Sequence, residues 1–192
     1  MSREIANPLA ALIAQAARTL PAQTGAAAAA AERLCRSTVI LADVSGSMDE
    51  RADTGRRIDR LREALTEVWT EHCRLIAFST LPRPLTGPEY LPEPEGATNM
   101  GLALDATHVH RPRAVVLISD GHPTDEAAAI AAARGLSCPI HTIYCGPEHD
   151  TGAIAFLRRL AAAAGGGAYV HRWGGPTRLA AVLRPLLLTG PA

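Results

Sequence analysis

The sequence predicts an α/β protein: a mostly parallel central sheet covered by helices on both faces. Short apolar runs without polar alternation, "STVILAD", "CRLIAFS", "AVVLIS" and "PIHTIY", read as strands buried on both sides. Segments with helical spacing alternate with them, the pattern of crossover connections in a parallel sheet. The polar clusters "DVSGSMDE", "DGHPTDE", "CGPEHD" and "HRWGG" follow strands, and ligands of such sheets sit beyond the carboxyl ends of the strands. No repeat and no linker divides the chain after residue 37.

Residues 1–36 read as a helical extension. Asn7 can cap and Pro8 suits a first turn, and Ile5, Leu9, Leu12, Ile13, Ala16 and Leu20 keep helical spacing. The alanine run 26–31 with "AERLCR" predicts a second, weakly amphipathic helix. Residues 37–192 form the domain proper, starting with the strand "STVILAD". The segment 57–72, "RIDRLREALTEVWTEH", puts Ile58, Leu61, Leu65, Val68 and Trp69 on one helical face, and "CRLIAFS" is the second strand. Five prolines and two glycines make residues 80–97 a long connection, with a short edge strand near Pro84–Leu85. "NMGLALDATHVH" predicts a helix, "AVVLIS" a buried strand, "DEAAAIAAARG" a helix ending on glycine, and "PIHTIY" a strand. "DTGAIAFLRRLAAAAGGG" is a helix stopped by glycines, "AYVHR" a strand, and "PTRLAAVLRPLLL" a closing helix that Pro185 can kink.

Composition narrows the function. Nineteen basic residues balance nineteen acidic ones, so no net field draws in nucleic acid or an anionic membrane. Every basic residue is arginine; without lysine there is neither a Schiff base nor a phosphate-gripping P-loop lysine. Codon bias in a GC-rich bacterial genome explains this more simply than avoidance of lysine modification. Among the four cysteines, Cys35, Cys73, Cys138 and Cys145, no C-x-x-C pair occurs. Cys138 and Cys145 flank one strand, roughly 23 Å apart and beyond disulfide reach, as expected of reduced thiols in a cytosol. The N-terminal apolar stretch is short and broken by Gln15 and Arg18, unlike a signal peptide, and no run reaches the ~20 apolar residues of a membrane span. The expected location is cytoplasmic.

The candidate site is spread over three segments. Asp43 ends a buried strand, and Ser45 and Ser47 follow on the loop into the next helix. Asp120 ends another strand, with Gly121 freeing the chain to turn away, and Thr98 lies in "EGATN" just before a helix. Two carboxylates and three hydroxyls at one sheet edge form an all-oxygen set, which suits Mg²⁺ first, then Mn²⁺, and argues against zinc. Taken alone, either serine is a helix cap. Neither carries the flanking glycines of a nucleophile elbow.

"DVSGSM", "GATNMGLAL" and "VVLISDGHPTDE" resemble, in order and spacing, the three segments of a von Willebrand factor type A (VWA) domain, a likeness covering roughly residues 37–188. The resemblance implies a Rossmann-like, doubly wound fold with a metal-ion-dependent adhesion site. In it Ser45, Ser47 and Thr98 bind Mg²⁺, Asp43 and Asp120 act largely through water, and a partner's acidic side chain completes the coordination. All five positions match. Residues 1–36 lie outside the resemblance.

Around this site, Met48, His122, His149 and Trp173 are candidates for a partner-binding rim, with His171 beside them. Trp173 has the best claim because exposed tryptophan favours interface hot spots. Asp49 and Glu50 read as solvated acids at a helix start, Arg56, Arg57, Arg60 and Arg62 as a wet helix face, and His108 and His110 as the decoration of a helix end. The expected function is therefore Mg²⁺-dependent binding of a protein partner through an Asp or Glu carboxylate, not catalysis. Standalone bacterial proteins resembling this family serve beside ATPases and chaperones or in stress and defence systems, so a subunit of an intracellular complex is expected. A metal-dependent hydrolase of phosphate esters, with His122 as base, is the alternative. A scaffold that ignores the metal is a further one.

Overall fold

A computed structural model describes residues 37–52, 55–70, 72–171 and 176–188. These fall in the second of two units into which the chain divides, residues 36–192. The expected helical extension over 1–36 and the rim candidate Trp173 lie outside the described residues.

The sheet is the one expected. Its central strand is β1 (Thr38–Asp43), and each of its six residues is buried. After it come a two-residue ribbon, β2 (Arg51–Ala52) and β3 (Gly55–Arg56), then helix α1 (Arg57–Val68) and β4 (Cys73–Phe78). The edge strand β5 (Pro82–Leu85) precedes α2 (Met100–Asp105), β6 (Ala114–Ser119), α3 (Glu126–Gly135) and β7 (Ile140–Tyr144). Helix α4 (Thr151–Ala163), β8 (Ala168–Val170) and α5 (Pro176–Leu188) complete the order. The six-stranded sheet runs β5-β4-β1-β6-β7-β8 and is parallel except for β5, which pairs antiparallel with β4. Pro82 and Pro84 explain that position: without N–H groups they are tolerated on an edge and not inside a ladder.

Side chains of β1 alternate between two cores. Ile40 and Ala42 join the cluster built with Ile58, Leu61 and Leu65 of α1 and Leu179 and Leu183 of α5. Val39 and Leu41 join the opposite cluster, with Met100 and Leu104 of α2, Ala129 of α3, and Phe156 and Leu160 of α4. This two-sided burial is why the strands are continuous apolar runs instead of alternating ones.

Local differences from expectation have local causes. The helix expected to reach residue 72 stops at Val68. Trp69 turns extended (φ −60°, ψ 136°) and a turn closed by Cys73 N–H to the Thr70 carbonyl (3.0 Å) feeds β4. That turn sets Cys73 opposite Thr38 in the sheet register. The helix expected over 99–110 is only α2 plus a separate 3₁₀ turn, His108–His110. The Asn99 side chain caps α2, while the buried Thr107 hydroxyl donates to the Leu104 carbonyl (2.7 Å) and closes its other end. Helices α3 and α4 begin as read, on the caps Asp125 and Asp150, each accepting from a backbone N–H three residues on. Helix α5 continues through Pro185. No helix among the described residues is long and apolar enough to cross a membrane.

Candidate metal centre

The sheet has its switch point between β1 and β6. The chain leaves β1 for α1 on one face, and leaves β6 for α3 on the other, so a crevice opens at the carboxyl ends of these two strands. Asp43 ends β1 there, and Asp120 directly follows β6.

Asp43 is fully buried, and both its oxygens are in use. Oδ1 accepts the Ser45 N–H at 2.8 Å, which bends the loop back over the strand end. Oδ2 accepts the Ser119 hydroxyl at 2.6 Å, and Ser119 Oγ in turn accepts the Gly121 N–H at 3.2 Å. Burial, reinforced by the neighbouring Asp120 charge, pushes the Asp43 carboxyl up to about 6, although the Ser119 and Ser45 hydrogen bonds pull the other way. Ser119 was missed by the reading of the sequence. Its signal is its place as the last residue of a strand, paired across the sheet with Tyr144 and directly before Asp120.

The serines tie the two strand ends together. Ser47 Oγ donates to Asp120 Oδ1 at 2.8 Å and lies 3.3 Å from Ser45 Oγ, which is itself buried. A 3₁₀ turn, Gly46–Asp49, holds this geometry through Met48 N–H to the Ser45 carbonyl. The third segment arrives by backbone contacts: Gly46 N–H to the Gly96 carbonyl (3.1 Å), Glu95 N–H to the Val44 carbonyl (2.9 Å) and Thr124 N–H to the Thr98 carbonyl (2.8 Å). Thr98 is thereby brought between the two other loops, and none of the hydrogen bonds among the described residues uses its hydroxyl. Gly96 makes the approach possible, with φ +74° and Thr80 Oγ1 only 2.6 Å from where a Cβ would stand.

Arg57 corrects the sequence reading. Expected on a wet helix face, it is only 6% exposed, and its guanidinium enters the site from the first turn of α1. Nη1 donates to Asp120 Oδ2 at 2.6 Å and to the Ser47 carbonyl at 3.1 Å, and Nη2 pairs with Glu50 at 2.9 Å. Nε has no hydrogen-bond partner among the described residues. Burial opposes the Arg57 charge, but the hydrogen bond and field of Asp120 outweigh it and hold the guanidinium above its usual range. The sequence carried the signal: Arg57 stands one turn before Leu61, on the buried stripe of α1. Arg56, Arg60 and Arg62 are half-buried, in ion pairs with Asp49, Asp59, Glu63 and Glu93.

Among the described residues no three His, Cys, Asp or Glu side chains gather into a cation cage. A cation at this edge therefore depends on hydroxyls as well as carboxylates. The donors fit a hard divalent ion: every one is oxygen, and two carboxylates sit close enough in dry surroundings for one to raise the other's pKa. A cation relieves that repulsion.

The rim differs in part from expectation. Met48 is fully buried, because the 3₁₀ turn directs it into the core beside Ile58 and Leu61. His171 is also buried, its N–H bonded to the Tyr144 carbonyl at 2.8 Å. His122 and His149 are exposed, and His122 Nε2 lies 3.2 Å from Asp150. His108 is exposed and His110 half-buried, at the short turn after α2.

No protein-family model and no curated protein matches the chain. Solved structures do. An aerotolerance-related membrane protein from Bacteroides fragilis NCTC 9343, carrying multiple mutations to serines, superposes with a TM-score of 0.59 at 13% identity, over 81% of this chain and 98% of that one. The SpRpn10 VWA domain gives 0.57 at 14% identity, over 77% and 93% of the two chains. Three N-terminal domains of the type V pili tip protein Mfa5 from Porphyromonas gingivalis give 0.54 at 13% identity, over 78% of this chain and 48% of that one. At these identities the likeness shows the fold, and the fold is that of a VWA domain.

Proposed function

We propose that this chain is a protein-interaction module whose centre, formed by Asp43, Ser45, Ser47, Thr98 and Asp120, holds Mg²⁺ or Mn²⁺ and receives an Asp or Glu carboxylate from a partner protein. The observation that carries this reading is the convergence of two buried carboxylates and the serine hydroxyls at the switch point of the sheet. The VWA-like fold and the all-oxygen donor set support it. A divalent ion held there supplies an electrophilic position for an incoming carboxylate. The chain's own residues prepare the place: Ser119 and the Ser45 N–H orient Asp43, Ser47 orients Asp120, and the Gly96 turn delivers Thr98.

The proposed activity is binding and not turnover. His122, the imidazole nearest the site in sequence, is exposed, with Nε2 3.2 Å from Asp150. We also propose a cytoplasmic setting within a bacterial complex, as the resemblance implies.

Calorimetric titration of the full chain with Mg²⁺, paired with partner capture in Mg²⁺ and in chelator, tests the reading. Wild type is expected to bind one Mg²⁺ and to capture its partner only with metal. Asp43→Ala is expected to lose both while keeping its circular dichroism spectrum. Capture that is equal with and without chelator would instead establish a metal-independent scaffold. Phosphate-ester turnover that tracks Mg²⁺ and disappears in His122→Ala would establish a hydrolase.

A further inference from the structure

Arg57 puts a permanent positive charge into a site otherwise built to receive one. It is buried, it shares Asp120 with Ser47, and it is held although its Nε–H has no partner among the described residues. Leaving a buried donor unmet is costly, so the contacts to Asp120, the Ser47 carbonyl and Glu50 dominate its placement. An arginine cannot shed its charge as a lysine can.

The charges then add up simply. Asp43 and Asp120 contribute two negative charges and Arg57 one positive, with Glu50 largely in solvent. A divalent ion added to this set leaves an excess of one positive charge. A single carboxylate from outside removes the excess.

Resting on the metal-binding reading above, we propose that Arg57 is a charge-setting positioning residue that makes the metal and the acidic ligand bind cooperatively. Without an acid at hand, guanidinium and divalent ion compete for Asp120, and the ion is held weakly. With an acid bound, the whole set is neutral and both stay. Each ligand raises the other's affinity by the same factor, as linkage requires. A centre of this kind binds the ion alone more weakly than it does together with its acidic ligand.

The test is titration of the full chain with Mg²⁺ alone, then with Mg²⁺ in sodium acetate against sodium chloride at matched ionic strength. In wild type, acetate is expected to raise Mg²⁺ affinity severalfold. Arg57→Gln is expected to bind Mg²⁺ alone at least tenfold more tightly and to lose most of the acetate effect. Arg57→Lys keeps a positive charge beside Asp120 and is expected to retain part of the acetate effect, since one ammonium cannot make the contacts of both Nη1 and Nη2. Should Arg57→Gln fail to fold, the acetate comparison in wild type decides by itself, and no enhancement there overturns the proposal. If wild type and Arg57→Gln bind Mg²⁺ equally well, cooperativity through Arg57 is wrong and the metal site stands. If neither binds Mg²⁺, with or without acetate, both readings fall; if Arg57→Gln binds Mg²⁺ alone and wild type binds it only in acetate, the inference is supported in its strongest form.

Discussion

At the scale of single residues, the site places an acid where ionisation is unfavourable. Asp43 is shifted from near 4 in the unfolded chain up to about 6 in the fold, chiefly by burial and then by Asp120. Because the folded value is raised, the native state binds more protons than the unfolded one between these limits. Metal-free stability contributed by Asp43 is therefore full below about pH 4, falls as pH rises towards 6, and stays lost above it. Two pH units correspond to about 3 kcal/mol. Asp43→Asn can still accept the Ser45 N–H and meet the Ser119 hydroxyl. In chelator at pH 7 it is expected to be more stable than wild type by up to that amount, with the difference vanishing near pH 4. Urea unfolding of both proteins from pH 4 to pH 7.5 measures it, and a pH-independent difference would show that Asp43 is not strained. The same shift predicts that Mg²⁺ affinity falls as pH drops through 6, since the ion must displace a proton.

At the scale of elements, three loops meet because their backbones hold one another, and the Gly96 turn is one of these joints. Its φ of +74° disfavours any other residue, and Thr80 Oγ1, which stands where a Cβ would go, already accepts the Ala97 N–H at 3.2 Å. Gly96→Ala is expected to cost about 1–2 kcal/mol, from the left-handed backbone and the clash together. Because Thr98 is two residues away, it is also expected to weaken Mg²⁺ binding. Thermal unfolding and metal titration check the pair, and unchanged metal affinity in a destabilised protein would show that Thr98 is not a ligand. The elements were also where the sequence was only half legible. Caps such as Asp125 and Asp150 announce helix starts by residue type alone. The early ends of α1 and α2 depend instead on register with β1 and on Thr107 turning back onto its own helix, which no local pattern records. Met48 and Arg57 were misplaced for a related reason. A 3₁₀ turn and a ribbon of two short strands sit between β1 and α1, and they decide which side chain faces inward.

At the scale of the whole molecule, the sheet and its two-sided burial could be read because both cores write themselves into the same strands as unbroken apolar runs. The placement of the five proposed site positions was legible because each stands at a strand end or before a helix, where topology brings them to one edge. Arg57 and Ser119 were legible only as positions on the buried stripe of α1 and at the end of β6; their partners appear once Asp120 and Asp43 are in place beside them. The same architecture makes a test of cooperativity. Ile40 and Leu41 are adjacent in β1, both fully buried, and face opposite clusters. Each replaced by alanine is expected to lose about 2–5 kcal/mol, a large part of the ~5–15 kcal/mol typical of a domain. If β1 joins the two cores into one unit, both substitutions lower the protection of the same β6 amides, Val116 and Leu117, whose side chains point to opposite clusters. Hydrogen exchange of the two variants at these amides reads this directly. Loss of protection on the mutated face alone would mean that the layers open separately, and that Asp43 and Asp120 can part without unfolding the sheet.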